Sequence, residues 1–459
     1  MGNGTDNRYD VIVIGGGSAG GSIAAEAVER GMRVASIEEW KVGGTCLNVG
    51  CDPTKTMVRS AEVLHLAREA TRFGITVGEA SVDWPAMVRR VETVIDTIRG
   101  GDGDRNVRAL GIDLFKERAR FVSPTEVSVA DRRITSERIV IATGAVNTPP
   151  PIDGLTETGY ITNDQAVALP RQPRSLAIIG GGPVAVEFAQ IFARFGTEVT
   201  LLGSRDQILP KEEPILSEAL AVVLQREGVR VETDVKIERA WRDGEDKRLE
   251  GTRNGATVTI QAEEILVAAG RKPHVDDLGL EAAGVAYSER GIEVDSALRT
   301  TAPGIWAAGD VTGIYPFTHV ATYQSQIVGH NLFTDGALRK ADYRVMPWVT
   351  FTDPELARVG LTEAEARAGG FDVVTNTVRF RNMVRAIAED ERDGLVKLVV
   401  DRATRQVLGG HILGARAGEL ISEVALVMRH RLPVSAISDT VHPYPTRSEA
   451  LYWAAYGVE

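Results

Sequence analysis

Tyr9-Asp-Val-Ile-Val-Ile-Gly-Gly-Gly-Ser-Ala-Gly20 is the stretch that decides the fold. The apolar run Tyr9 to Ile14 has the composition of a strand covered on both faces, as in a parallel sheet. Gly15 to Gly20 then leads into an alanine-rich helical stretch ending near Gly31, and Arg33 to Ile37 reads as the next strand. Strand, glycine turn, helix and parallel strand together make a mononucleotide-binding unit. In such a turn Gly15 permits the bend, Gly17 lets backbone approach a pyrophosphate, and Gly20 allows the helix to pack closely on the sheet. The helix N-terminus supplies the attraction for phosphate. With 47 glycines in 459 residues, about 0.5 such triples are expected by chance, so the flanking strand and helix carry the reading. Glu38, closing the second strand, adds a carboxylate where a ribose hydroxyl needs an acceptor.

The pattern recurs. Ser175 to Ile179 is a strand, Gly180-Gly-Gly-Pro-Val-Ala185 the turn, Val186 to Phe195 a helix and Glu198 to Leu202 a strand. Gly180, Gly182 and Ala185 take the three turn places. Each unit is followed by a short apolar strand ending in Ala-Xaa-Gly, at Ile139 to Gly144 and Ile265 to Gly270. The second unit ends Leu201-Leu-Gly-Ser-Arg205, with no carboxylate to repel a 2′-phosphate. Gly203 leaves room, Ser204 a donor and Arg205 a forked cation, which favours NADPH and leaves NADH as the alternative. Pro149-Pro-Pro151 marks a boundary, because proline lacks the donors a central strand requires. Beyond Val345 the texture changes. Phe351-Thr-Asp-Pro-Glu355, an alternating strand at Gly394 to Val400 and a helix at Leu420 to Arg431 suit a third, α+β domain.

A length of 459 residues fits about three domains at roughly 150 residues each. The composition, 43% hydrophobic and 25% charged, is that of a globular protein. A net charge of −11 disfavours nucleic acid and anionic membranes as partners. No run reaches the roughly 18 apolar residues of a membrane helix, and Met1 to Asp10 is polar without a signal-peptide core, so a cytoplasmic protein is expected.

Both cysteines of the chain lie in Gly43-Gly-Thr-Cys-Leu-Asn-Val-Gly-Cys-Asp-Pro-Thr-Lys55. A structural zinc ion takes four ligands, and no second pair or histidine cluster follows, so no metal is expected. A reducing cytosol would not maintain a merely structural bridge, which leaves dithiol chemistry for Cys46 and Cys51. A helix starting after the pair would place its positive end near Cys51. Asp52 opposes this if it points at the sulfur, or else bonds backbone donors ahead of Pro53.

Taken together these residues resemble the flavoprotein pyridine nucleotide-disulfide oxidoreductases, the family of glutathione reductase, dihydrolipoamide dehydrogenase and mercuric reductase. The resemblance spans nearly the whole chain. Its specific elements are Gly43 to Lys55, the two glycine turns, Thr301-Ala-Pro-Gly-Ile-Trp-Ala-Ala-Gly-Asp310, Phe351 to Glu355, and His442-Pro-Tyr-Pro-Thr-Arg-Ser-Glu449. It implies an α/β protein with two Rossmann-like dinucleotide-binding domains, for FAD and NAD(P)H, and a C-terminal α+β dimerisation domain. The implied division is 1–148 for the first part of the FAD domain, 149–271 for the NAD(P)H domain, 272–344 for the rest of the FAD domain and 345–459 for dimerisation. A homodimer with a site shared between subunits follows from it, acting on a small-molecule acceptor. Cys51 would be the flavin-proximal thiol and Cys46 the interchange thiol, with Lys55 and Glu187 as the ion pair beside the flavin. Asp310 would contact the ribityl chain. Gly44, Thr45, Thr143, Gly144, Gly270, Arg271 and Ala321 would line the cofactor sites.

The departures lie at the C-terminal end. Relatives that reduce linear disulfides carry a histidine where this chain has Tyr444, although the paired acid, Glu449, is present. A phenol ordinarily titrates at about 10 and an imidazole at about 6.5, so tyrosine is the poorer proton shuttle. His442 either takes over that role or is structural. Tyr444 and the Gly182-Pro-Val-Ala-Val-Glu187 turn resemble mercuric reductase, yet Tyr456-Gly-Val-Glu459 lacks that enzyme's vicinal cysteines. The expected route runs from NADPH through flavin to the Cys46–Cys51 disulfide and on to a disulfide or soft electrophile. Mercuric or quinone reduction, dihydrolipoamide dehydrogenase-like turnover and a flavin-bound redox sensor are the alternatives.

Overall fold

All four residues of the strand Val11–Ile14 are buried, the burial its uninterrupted apolar sequence requires. The computed structural model describes residues 7–458; Met1 to Asp6, within the polar opening, and the terminal Glu459 lie outside the described residues. Val11–Ile14 is the middle strand of a five-stranded parallel sheet, ordered Ile305–Ala307, Ile139–Ile141, Val11–Ile14, Val34–Ile37, Asp113–Phe115. This sheet belongs to a first compact unit that runs through Pro53 and includes Arg89–Thr148 and Gly270–Asp342. Helices Ser18–Glu29 and Thr318–Phe333 pack on one face of the sheet through Ile23, Ala24 and Val328, while Ile12, Ile37 and Ile139 face the other, against Phe121, Val127 and Ile134. The strand begins at Val11 because Tyr9 is held by a separate bond, its amide donating to Thr135 O at 2.9 Å.

The second unit comprises Thr54–Val88, Pro149–Ala269 and the chain from Tyr343 onward. Its parallel sheet is ordered Arg230–Glu232, Glu198–Leu202, Ser175–Ile179, Glu264–Val267. The helix after the second glycine turn starts at Pro183 and not at Val186. Proline is suited to the first helical position, where no donor is needed and its fixed φ is already helical. The C-terminal part is a five-stranded antiparallel sheet, ordered Pro347–Thr350, Glu355–Gly360, Val407–Gly414, Leu395–Asp401, Val373–Arg379. Helices Ala417–Arg429 and Glu449–Tyr456 share its core through Ile421, Val424, Leu451 and Ala454.

The alternation expected at Gly394 to Val400 does not hold, because Leu395-Val-Lys-Leu-Val-Val400 carries one charge, Lys397, in an otherwise apolar run. Every residue of Leu395–Asp401 is buried. The charge is covered because it is paired: Lys397 Nζ donates to Glu213 Oε2 and Glu363 Oε2, both at 2.8 Å. Burial pulls this ammonium down, but the two carboxylates outweigh it and hold it above the usual lysine range. Beside it in the sheet, His411 is wholly buried, its Nε2 donating to Leu361 O at 3.0 Å. Burial pushes this imidazole down to about 4.

The unfolded chain therefore takes up a proton on His411 below about pH 6.5 that the folded chain refuses. Stability is full above that pH and falls with acid towards about pH 4. The His411 contribution is at most about 1.4 kcal/mol per pH unit. Urea melts of wild type and His411→Asn across this window should show a shallower acid dependence in the variant; identical slopes would contradict the account.

Candidate active site

The first glycine turn is built by close approach. Gly15 has φ +108°, and a Cβ there would lie 2.2 Å from Ala142 O. At Gly20 a Cβ would meet Gly15 O at 1.9 Å, so only glycine lets the helix Ser18–Glu29 sit this near the strand. Gly17 caps that helix in extended backbone with no side chain on its amides, and a Cβ on Gly44 would reach Gly17 Cα at 2.9 Å. Glu38 is fixed beside the turn, Oε2 accepting from Gly16 N at 2.7 Å and Oε1 from Trp40 N at 2.8 Å. Uncapped helix amides, bare backbone and an adjacent fixed carboxylate fit the pyrophosphate and ribose of FAD.

The remaining positions of the first unit converge around the ends of the same strands. Thr143 Oγ1 donates to His274 O at 2.6 Å, and Gly144 O accepts from His274 N at 2.9 Å. Gly270 O accepts from Thr148 N at 3.1 Å. Arg271 donates from Nη2 to Ala145 O at 2.9 Å and from Nη1 to Asp310 Oδ2 at 3.2 Å. Burial pushes the Asp310 carboxyl up and Arg271 draws it back. Ala19 and Ala321 pack on either side of Gly309, whose amide donates to the buried Gln324 Oε1 at 2.6 Å.

Cys46 lies in the short helix Gly44–Val49 and Cys51 is the first residue of the helix Cys51–Arg68, as the sequence led us to expect for its positive end. Asn48 pins the first of these, donating to Val42 O at 3.1 Å and Gly44 O at 2.8 Å while accepting from Arg99 Nη2 at 2.8 Å. Neither cysteine is in a disulfide, and both are half-buried. The Cys46 thiol is held far above its ordinary range, first by its hydrogen bond to Cys51, then by burial; Asp52 adds to the rise and a hydrogen bond from Thr318 opposes it. Thr318 Oγ1 also lies 3.4 Å from Cys51 Sγ. Sequence reasoning missed Thr318, whose one signal was its place at the start of the helical stretch after Asp310.

In the second unit Lys55 Nζ donates to Glu187 Oε2 at 2.7 Å, with the Glu187 side chain only 5% exposed. The other oxygen, Oε1, accepts from Phe351 N at 2.8 Å, and Lys55 Nζ lies 4.6 Å over the Phe351 ring. The next turn of the same helix holds Asp353, with Gln190 accepting its amide at 2.8 Å and Arg194 pairing with its carboxylate at 2.9 Å and with Glu227 at 2.8 Å. The Phe351 to Glu355 motif is thus an anchor for the Glu187 helix, a role its sequence did not disclose. Gly180 repeats the tight bend at φ +139°, a Cβ on Gly182 would meet nothing within 4 Å, and Ala185 is fully buried. Ser204 and Arg205 are exposed, and among the described residues no carboxylate pairs with Arg205.

The C-terminal residues are placed differently from one another. Tyr444 is 72% exposed. Glu449 opens the last helix and accepts from Thr446 N at 3.0 Å. The His442 ring has a 6% exposed side chain, with Nδ1 2.8 Å from Thr440 O and Nε2 3.0 Å from Glu423 Oε1.

Residues 9–325 match the pyridine nucleotide-disulphide oxidoreductases, and residues 346–455 match the dimerisation domain of the same proteins. The chain belongs to this family. It is 38% identical over 444 residues to a mercuric reductase of Bacillus cereus, covering 96% of this chain and 70% of the relative. It is 35% identical to a dihydrolipoyl dehydrogenase of Chlamydia muridarum, covering 98% and 96%. The HOCl-induced flavoprotein disulfide reductase RclA from Escherichia coli superposes with a TM-score of 0.87 at 32% identity, over 98% of this chain and 100% of that one. Membership makes the chain an α/β oxidoreductase that uses FAD and NAD(P)H and carries a dimerisation domain. Among the described residues no helix is long and apolar enough to cross a membrane, and no group of three or more His, Cys, Asp and Glu side chains is placed to hold a metal ion.

Removing one member of a buried ion pair leaves the other charge uncompensated. Glu187→Ala should lower stability by about 3 kcal/mol in denaturant melts. Glu187→Gln, which keeps an acceptor for Phe351 N, should lose less. Equal losses would show that the Phe351 bond contributes nothing.

Proposed function

We propose that this protein uses NADPH to reduce the Cys46–Cys51 pair, which delivers the electrons to a soft electrophile, a thiophilic metal ion. The observation that carries the acceptor class is the commitment of His442. Exchange with a linear disulfide expels a thiolate that must be given a proton at neutral pH. The imidazole nearest the C-terminal motif has both ring nitrogens against acceptors, Thr440 O and Glu423, and the residue before Pro445 is a phenol. Two thiolates that coordinate a soft ion need no such proton. The mercuric reductases among the relatives, and a copper(II) complex of RclA, support this reading.

Bound FAD supplies two-electron exchange between a nicotinamide and a dithiol. Gly15, Gly17, Gly20, Gly44 and Thr45 would hold its phosphates, Glu38 its ribose, and Thr143, Gly144, Arg271, Asp310 and Ala321 its remainder. Gly180, Gly182 and Ala185 would receive NADPH, with Gly270 at the edge of the site and Ser204 and Arg205 on the 2′-phosphate. Lys55 and Glu187, paired at 2.7 Å, would serve as the flavin's ion pair. Cys51 would face the flavin, at the positive end of its helix, and Cys46 the acceptor. Exposed Tyr444, with Glu449, would complete the pocket of a second copy in a homodimer. Residues 1–148 and 272–344 would form the FAD domain, 149–271 the NADPH domain and 345–459 the dimerisation domain. A dithiol pair that must cycle through its reduced state suits the cytoplasm.

NADPH oxidation should be measured with mercuric ion, copper(II), oxidised glutathione, lipoamide and a quinone, for wild type, Cys46→Ser and Cys51→Ser. Metal-ion turnover should fall by about a hundredfold or more in both variants, with quinone turnover retained. Faster turnover of either disulfide than of both metal ions would overturn the acceptor assignment. Separately, Gly203→Glu should weaken NADPH binding by about tenfold or more while sparing NADH, since a carboxylate there repels the 2′-phosphate. An unchanged preference would refute the pocket.

A further inference from the structure

We propose that Thr318 is the hydrogen-bond donor that holds the negative charge of the reduced cysteine pair, an inference that rests on the dithiol reading above. Its hydroxyl lies 3.4 Å from Cys51 Sγ, so the side chain sits directly against the sulfur at the start of the cysteine helix. A pair carrying one proton between two sulfurs can supply only one S–H to the thiolate. A hydroxyl supplies a second donor, and a hydrogen bond to a charged acceptor is roughly twice as strong as one between neutral groups.

The backbone reinforces this placement. Thr318 is the first residue of the helix Thr318–Phe333, and Cys51 is the first residue of the helix Cys51–Arg68. Phe317, which caps the former in extended backbone, places no side chain on its amides. Two helix N-termini therefore meet at the sulfur pair, and both favour negative charge there. Asp52, in the first turn of the cysteine helix, acts in the opposite sense on Cys46. Thr318 acts against Asp52, favouring the charged form where the carboxylate disfavours it.

The test uses holoenzyme reduced with dithiothreitol and alkylated with iodoacetamide across roughly pH 5 to 10, a range that brackets perturbed and ordinary thiols. In Thr318→Val, which keeps the β-branched shape and removes the donor, the midpoint of thiol reactivity should move up by about one pH unit. Thr318→Ser should restore the wild-type midpoint. Thr322→Val, which removes an exposed hydroxyl one turn further along the helix, should leave it unchanged. A wild-type midpoint in Thr318→Val, or a failure of Thr318→Ser to restore it, overturns the inference. The dithiol reading fails by a different result, wild-type metal-ion turnover in Cys46→Ser and Cys51→Ser, and the alkylation profile still reports the Thr318 bond in that case.

Discussion

A carboxylate that is nearly removed from water, Glu187, is the constraint around which the second unit is arranged. Its two oxygens are taken by groups from two other segments, the Lys55 ammonium and the Phe351 amide. Burying such a charge is costly unless every lone pair finds a partner, so the helix, the cysteine-bearing helix and the start of the C-terminal sheet are fixed against one another at this point. Gln190 and Arg194 extend the same contact by a turn, gripping Asp353. The motif from Phe351 to Glu355 is maintained by what the Glu187 helix needs.

The first unit answers a different constraint, the distance of closest approach between a helix and a strand. Gly15 and Gly20 make that distance possible, and it leaves the helix amides bare beside Glu38. Anion binding follows from the same geometry that packs the core, because a turn tight enough to lay the helix on the sheet also aims its first amides outward.

Much of this was legible before any coordinates. Turn glycines, Glu38 and the cysteine pair could be read because their chemistry demands particular residue types at fixed spacings, while the Lys55–Glu187 partnership came from the family resemblance alone. Thr318 could not be read, since nothing local distinguishes a threonine that meets the Cys51 sulfur from one that merely opens a helix. His442 likewise offered two readings until Glu423 was found against its ring. The strand Leu395–Asp401 is apolar but for Lys397 and its last residue, and only long-range pairing of Lys397 with Glu213 and Glu363 shows how that charge is buried. Local sequence records what an element needs from its immediate neighbours, and leaves out which distant charge arrives to meet it.

That last pairing limits how the chain can change over evolutionary time. Lys397 and Glu363 come from the C-terminal segment and Glu213 from the segment of the second glycine turn. Loss of Lys397 strands Glu213, 4% exposed, where water cannot solvate it, whereas Glu363 is 30% exposed and also paired with Arg367. Lys397 and Glu213 are therefore bound to vary together, and a chimera that joined this C-terminal segment to a foreign nucleotide unit would leave the buried cation with Glu363 alone.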